Sequence, residues 1–272
     1  MSFALVAFTG AGAAARPFLV REVVSAQAPT PVETTTTTTT TAPAVTPTLA
    51  PTPTTTTEAP EPELGPNETL IATATDEVNI LVAYDNPEGY IIPLEFLVPN
   101  PHQFGGPLTL RVTEGSMDDE WVKVALPVRP NGQEAWIPTE NYTLSTTTIH
   151  ARVDLSNTSV QVFDDEELLI ETQAAIGSPA TPTPLGTFYV AAVRENPPEE
   201  QYLGPYALVL SGFSETLDSF NGGIPVIAIH GTNSPDGELG HAVSNGCLRV
   251  PNDVIQILAE HVPPGAPVVI SG

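Results

Sequence analysis

Ile-His-Gly-Thr at 229–232 and Ser-Asn-Gly-Cys-Leu-Arg at 244–249 decide the fold and hold the single cysteine of the 272-residue chain. A thiol with an ordinary pKa of about 8.5 is only a few per cent ionised at neutral pH, so a nucleophilic role for Cys247 requires a base. His230 follows the apolar run 225–229, which predicts a buried strand with the histidine at its end. The pattern therefore indicates a cysteine nucleophile with a histidine base.

Two further features of this region favour a reactive site. The turn-rich segment 233–237 lies between the two side chains and can fold the chain back, which brings them together. Gly246 precedes the cysteine and has no side chain, so its backbone can take an unusual conformation and present N–H groups to an oxyanion.

Two other interpretations of the same residues remain open. A single cysteine is often a small buried hydrophobe, and a histidine at a strand end is often a hydrogen-bonded structural residue. A metal site is the second alternative, although the spacing matches no standard zinc pattern; its ligand-type side chains are His230, Asp236, Glu238, His241 and Cys247. We predict neither a metal nor a cofactor.

The two motifs resemble the active-site signature of the L,D-transpeptidase (YkuD-like) catalytic domain family, His-Gly-(Thr/Ser) followed by (Ser/Thr)-His-Gly-Cys-(Ile/Val/Leu)-(Arg/Asn). A second element supports the resemblance, because residues 176–188 are similar to the Thr-Pro-x-Gly-x-Phe segment that precedes a core strand in this family. The family's opening strands have counterparts at 152–155 and 159–163. The resemblance covers roughly residues 147–271.

The resemblance implies roles for individual residues. Cys247 would be the acyl-accepting nucleophile, His230 the general base, and Gly231 the residue whose carbonyl orients the imidazole. The amides around Asn245, Gly246 and Cys247 would form the oxyanion hole, and Arg249 would help to hold the loop or a substrate carboxylate. Ser244 would belong to the same group of oxyanion and substrate residues.

One motif position differs from the family pattern. Asn245 stands where the family has its second histidine, so no titratable group remains there. We expect this change to alter substrate positioning more than reactivity. His241 lies four residues earlier, and we expect it to face solvent and not to compensate.

Composition divides the chain into four parts. Residues 1–28 are predicted to be an export segment, since Ala26-Gln27-Ala28 fits a small-x-small cleavage site, and residues 29–66 a Thr/Pro-rich linker. Residues 67–146 predict a small all-β module similar to SH3-like modules, with strands at 78–82, 108–112, 121–126 and 134–137. Trp121 and Trp136 could line a binding groove, but we expect them to pack in the core of the module. Residues 147–272 would be the catalytic domain.

The overall fold class is predicted to be mostly β, with an L,D-transpeptidase-like β-sandwich at the C-terminus and few helices. The clearest helix signal begins at Asn252, which can cap a helix. Between two predicted strands, the segment 194–205 is expected to be a long exposed loop that serves either as a substrate lid or as a purely structural connection.

Charge and hydropathy restrict the partners. With 32 acidic against 8 basic residues the net charge is −24, which excludes nucleic acid and anionic membranes as partners. No stretch approaches the roughly 20 apolar residues of a transmembrane helix. We expect a bacterial protein outside the cytoplasm, secreted or associated with the cell wall.

The resemblance implies an L,D-transpeptidase that forms 3→3 peptidoglycan cross-links through a Cys247 thioester. Its partners would be peptidoglycan stem peptides, as acyl donor and as amine acceptor, and β-lactams of the carbapenem type as inhibitors. Alternatives are an L,D-carboxypeptidase, a protein-anchoring acyltransferase, or a non-catalytic peptidoglycan-binding module if Asn245 marks a degenerate site.

Overall fold

The structure is a computed structural model that describes residues 64–272. The predicted export segment at 1–28 and all but the end of the predicted linker at 29–66 lie outside the described residues. Within 64–272, no helix is long and apolar enough to cross a membrane.

Residues 64–147 contain one five-stranded antiparallel sheet, and we call this part of the chain the N-terminal module. Its strand order is β4-β3-β2-β1-β5. The strands are β1 (Thr69–Ala74), β2 (Thr109–Glu114), β3 (Trp121–Ala125), β4 (Glu134–Pro138) and β5 (Tyr142–Thr147). This order describes an open sheet, and an SH3-like barrel is not confirmed. The predicted strand at 78–82 is wrong, since that run forms only an isolated bridge at Ile80.

The two tryptophans of the module lie on the outer face of the sheet. Val122 and Val124 of β3 are fully buried, so the alternating positions Trp121 and Lys123 point the other way. Trp136 pairs with Lys123, whose ammonium lies 5.9 Å from the indole centroid. The prediction that the tryptophans form the core is therefore wrong, because the apolar partners that alternate with them are smaller and take the buried positions.

The C-terminal part is an eight-stranded sheet of order β14-β12-β11-β10-β15-β6-β7-β8, with β9 and β13 paired separately. The strands are β6 (Ile149–Asp154), β7 (Ser159–Asp164), β8 (Glu167–Gln173), β9 (Ile176–Gly177), β10 (Gly186–Glu195), β11 (Tyr206–Phe213), β12 (Val226–Gly231), β13 (Ala242–Ser244), β14 (Leu248–Val250) and β15 (Pro267–Ser271). The prediction of a mostly β fold is confirmed.

Helices are short and few in the described residues. A 3₁₀ helix spans Pro198–Leu203, α1 spans Pro235–Glu238 and α2 spans Asn252–His261. Ile255 and Leu258 of α2 are fully buried against the apolar side of the eight-stranded sheet. The predicted cap is misplaced by one residue, because Pro251 is the N-cap and Asn252 is already helical.

The N-terminal module shares an apolar core with the eight-stranded sheet. Tyr189 and Ala191 of β10 pack into the same buried cluster as Leu110 and Val124 of the module. The other side chains of the long strand, such as Phe188 and Val190, belong to the core of the eight-stranded sheet. Strand β10 therefore contributes to both cores, because alternate residues point to opposite faces.

Candidate active site

Strands β12 and β14 bring the two sequence motifs to one face of the sheet. They pair in parallel, with Ile229 opposite Leu248 and His230 opposite Arg249. Ile229 and Leu248 are buried in the core, so His230 and Arg249 point to the opposite side. Both line a pocket of about 290 Å³, and Cys247 lines it too. The register thus explains how residues of the two motifs converge.

His230 is buried and held by its own neighbour. Its Nδ1 lies 2.7 Å from the carbonyl oxygen of Gly231, which can only accept, so Nδ1 carries the hydrogen. Burial lowers the pKa of His230, a shift that this hydrogen bond opposes and the Arg249 charge reinforces. A neutral imidazole with hydrogen on Nδ1 has its lone pair on Nε2, which is the form that a general base requires.

Cys247 is partly buried beside the backbone of β12. Its Sγ lies 3.9 Å from the Val226 carbonyl oxygen, and within the described residues it has no hydrogen bond to the His230 ring. Burial raises the pKa of the Cys247 thiol, while the Ala228 backbone and the Arg249 charge oppose that shift. Both pKa directions favour a neutral thiol and a neutral imidazole over a preformed ion pair.

These pKa directions predict the pH dependence of Cys247 reactivity. Because the pKa of His230 is lowered, protonation removes the base only below its ordinary value of about 6.5. Because the pKa of the thiol is raised, direct alkylation by iodoacetamide should keep increasing beyond pH 8.5, about the ordinary thiol value. The rate of alkylation of this single cysteine, measured by intact mass between pH 5 and 10, checks the predicted behaviour at both ends of the pH range. A plateau from pH 6 upward would indicate an ion pair and contradict this assignment.

The loop before Cys247 is built around Ser244. The Gly246 amide donates to Ser244 Oγ at 3.1 Å, and the Ser244 hydroxyl donates to the Cys247 carbonyl at 2.6 Å. Gly246 has a φ of +111°, and a Cβ there would lie 2.9 Å from Ile227 Cδ1. Glycine is therefore required by both conformation and space. Its amide is engaged inside the loop, whereas those of Asn245 and Cys247 donate no hydrogen bond in the described part of the chain.

The Thr/Pro segment after β9 forms hydrogen bonds with this loop. Thr183 is buried, receives a hydrogen bond from the Gly177 amide and donates to the Gly246 carbonyl, both at 2.9 Å. Thr181 donates to the Ser244 carbonyl at 3.0 Å. In the sequence, only the family resemblance pointed to this segment. The structure shows that its threonine hydroxyls form hydrogen bonds with the loop before Cys247.

Glu238 lines the pocket. From the sequence, it was predicted only as one of the residues of the alternative metal site. It accepts from Arg249 Nη1 at 2.6 Å and from the Thr232 hydroxyl, so it joins β14 to the end of β12. Within residues 64–272, no three His, Cys, Asp or Glu side chains are arranged to hold a metal ion. His241 is exposed and does not line the pocket, which agrees with the predicted solvent-facing position, while Asn245 is exposed at the pocket surface.

Apolar walls complete the pocket on two sides. Tyr202 and Leu203 come from the 3₁₀ helix, and Leu217 and Phe220 from the connection between β11 and β12. No sequence pattern indicated Leu217 or Phe220, because they lie in a polar, turn-rich segment that contains no motif.

Hydrogen bonds and an ion pair hold the segment 194–205, which was predicted as a loop or lid. Asn196 Nδ2 donates to the Gly204 carbonyl at 3.0 Å, and Asn233 Nδ2 donates to the Gln201 carbonyl at 2.9 Å. Arg194 and Glu200 form an ion pair of 2.7 Å across the segment. These contacts hold the 3₁₀ helix against the end of β12 and make it a wall of the pocket.

Gly231 packs so closely against its neighbours that a larger residue should destabilise the protein. A Cβ there would lie 2.1 Å from Asn252 Oδ1 and 2.9 Å from Gly204 Cα. We expect Gly231→Ala to lower the free energy of unfolding by about 1–3 kcal/mol, the usual cost of overpacking. Chemical denaturation measures the change. Gly237→Ala is the control, because a Cβ there meets nothing within 4 Å; equal effects of the two substitutions would refute the prediction.

Comparison with known proteins agrees with this geometry. Residues 148–270 match the model of the L,D-transpeptidase catalytic domain, YkuD. This part of the chain is therefore similar to the YkuD family of L,D-transpeptidase catalytic domains.

The particular relatives are bacterial. The chain is 30% identical to the YkuD protein of Bacillus licheniformis over 119 residues, which are 44% of this chain and 63% of the relative. It is 30% identical to the YkuD protein of Bacillus subtilis over 122 residues, which are 45% of this chain and 65% of the relative. The chain thus spans less than two thirds of the length of these curated relatives.

A solved structure with a similar fold is the catalytic domain of the Enterococcus faecium L,D-transpeptidase acylated by ertapenem. Its identity to this chain is 24% and its TM-score 0.33; the match covers 45% of this chain and 96% of that domain.

Proposed function

We propose that the protein is a cysteine acyltransferase of the L,D-transpeptidase type, which forms 3→3 cross-links between peptidoglycan stem peptides. The observation that carries the proposal is the joint placement of Cys247 and His230 in one pocket, with the imidazole held by Gly231 in the tautomer of a base. The similarity of residues 148–270 to the family supports the choice of substrate.

In the acylation step, His230 Nε2 takes the thiol proton as Cys247 Sγ attacks the carbonyl before the terminal D-alanine of the donor stem. The tetrahedral intermediate carries a negative oxygen, for which the free amides of Asn245 and Cys247 are the proposed donors. When it collapses, the carbon–nitrogen bond breaks, and the leaving amine takes the proton from His230. The product is a thioester on Cys247 and free D-alanine.

In the second step, an amine of a neighbouring stem peptide attacks the thioester, and His230 accepts the proton that this amine loses. The carbon–sulfur bond then breaks, and the thiolate regains its proton from the imidazolium. The new amide is the cross-link. The complete cycle begins and ends with a thiol on Cys247 and a neutral His230, and the lowered pKa of His230 and the raised pKa of the Cys247 thiol both favour these forms.

Arg249 and Glu238 are proposed to act as a pair beside this chemistry. Glu238 holds one nitrogen of the guanidinium, which fixes the side chain at the pocket wall. The rest of the guanidinium would then meet a carboxylate of the donor stem. Asn245, at the pocket surface, would orient the substrate and take no part in proton transfer.

Product analysis tests the proposed function. Purified protein is incubated with a tetrapeptide donor, with and without a stem peptide that bears a free side-chain amine, and the products are separated and weighed by mass spectrometry. Cross-linked dimers that require Cys247 support the transpeptidase. Tripeptide and D-alanine alone would indicate a carboxypeptidase, and a stem joined to a protein lysine would indicate an anchoring enzyme. Binding without any covalent product would leave a non-catalytic module.

The proposal includes a location and an inhibitor class. The substrate lies outside the cytoplasmic membrane, so we propose a secreted or wall-associated protein. Carbapenems would acylate Cys247 through their strained amide, as ertapenem acylates the Enterococcus faecium catalytic domain.

A further inference from the structure

One loop of the N-terminal module contacts the strand that leads to the active-site wall. The loop connects β3 with β4 and contains Asn131, whose side chain pairs with both backbone groups of Phe213. Nδ2 donates to the Phe213 carbonyl and the Phe213 amide donates to Oδ1, each at 2.9 Å. The asparagine therefore binds the strand end as a neighbouring strand would.

Phe213 is the last residue of β11, so this contact fixes the start of the connection to β12. That connection, residues 214–225, is closed at its base by a hydrogen bond of 2.9 Å from the Ser214 amide to the Pro225 carbonyl. The Leu217 amide donates to Ser214 Oγ at 3.2 Å. Leu217, Phe220 and Pro225 of this segment line the candidate active-site pocket. A change in the backbone position of Phe213 would therefore move the apolar residues that line the pocket.

Apolar and polar contacts add to the same junction. Phe96 of the module packs edge-on against Phe213, with ring centroids 5.7 Å apart. Asn131 Nδ2 also lies 3.3 Å from Oε1 of Glu215, the second residue of the connection. Leu217 lines both the active-site pocket and a second cavity of about 510 Å³, and Asn131 also lines this second cavity. The wall is thus supported by the module.

We propose that Asn131 is a positioning residue, through which the N-terminal module sets the substrate-facing wall of the active-site pocket. Cys247 and His230 are held by β12, β14 and the Thr/Pro segment. Within residues 64–272, the side chain of Asn131 forms hydrogen bonds with Phe213 and Glu215 and none with these three elements. Loss of this residue should therefore weaken substrate capture while it leaves the chemical step unchanged. The kinetic part of this inference rests on the proposed function.

The first test is hydrogen exchange of the free protein, which needs no activity. Asn131→Ala removes both contacts to Phe213, and Asn131→Asp keeps the side chain's size but places a carboxylate beside the Phe213 carbonyl and Glu215. The control is Asn67→Ala, because Asn67 Nδ2 also joins the module to the eight-stranded sheet, at Asp165 Oδ1 and 2.9 Å. We expect exchange of amides in 213–225 to quicken about tenfold in both Asn131 variants and to stay unchanged in the control.

The second test is the concentration dependence of ertapenem acylation, followed by intact mass. Both Asn131 variants should raise the half-saturating concentration about three- to tenfold, with a limiting rate within about twofold of wild type. A fall in the limiting rate alone, or equal exchange in all three variants, would overturn the proposal. If wild-type protein formed no adduct, the proposed function would fail, and the exchange data would still decide the role of Asn131.

Discussion

Replacement of His230 by alanine should slow acylation of Cys247 by about 10²- to 10⁴-fold, the usual contribution of a positioned general base. The effect is large because burial raises the pKa of the thiol, so little thiolate exists without a group that accepts the proton. The Gly231 carbonyl holds the ring in the required tautomer, and no second histidine reaches the pocket in the described residues. Stopped-flow or quenched mass measurements with a carbapenem give the rate.

The matched control for this substitution is His241→Ala. His241 is exposed, lies six residues before the nucleophile and does not line the pocket, so its loss should change the rate by less than about twofold. His230→Gln should be as slow as His230→Ala while it fills more of the buried space. A slow His241→Ala together with a fast His230→Ala would show that the wrong histidine has been assigned as base.

Replacement of Cys247 by alanine should abolish both thioester formation and cross-linked product. Cys247 is the single cysteine of the chain, so no other thiol can accept the acyl group. Its Sγ contributes only a long contact of 3.9 Å to the fold, and thermal unfolding should therefore change little. Mass spectrometry of protein and of peptide products measures both losses.

A wild-type-like melting curve is the necessary control for that loss, because it shows that the pocket is intact. Cys247→Ala should also keep its affinity for the stem peptide, which calorimetry can measure. Cross-links formed by a folded Cys247→Ala protein would contradict the whole mechanism.

The local parts of the site could be predicted from the sequence. An apolar run followed by His-Gly indicated a strand that ends at a histidine, and β12 spans Val226–Gly231. The glycine before the nucleophile indicated an unusual backbone, and Gly246 has a φ of +111°. Both features depend on residues adjacent in sequence, whose conformational preferences act over short range.

Features that depend on long-range packing escaped prediction. The tryptophans of the module face outward because the smaller apolar residues that alternate with them in β3 and β4 take the buried positions. The sequence of a strand does not show which of its two faces is covered. The Glu238–Arg249 pair and the Asn131–Phe213 contact join residues 11 and 82 positions apart. Their side chains are polar and common in loops, so only the folded chain shows that they meet.

The central claim is that Cys247 and His230 form an acylating pair in spite of Asn245. Its most direct test is the intact mass of the full chain after incubation with ertapenem, compared among wild type, Cys247→Ala and His230→Ala. We expect one adduct on the wild-type protein, none on Cys247→Ala, and much slower formation of the adduct on His230→Ala. A well-folded wild-type protein without an adduct, or an adduct that persists without Cys247, would contradict it.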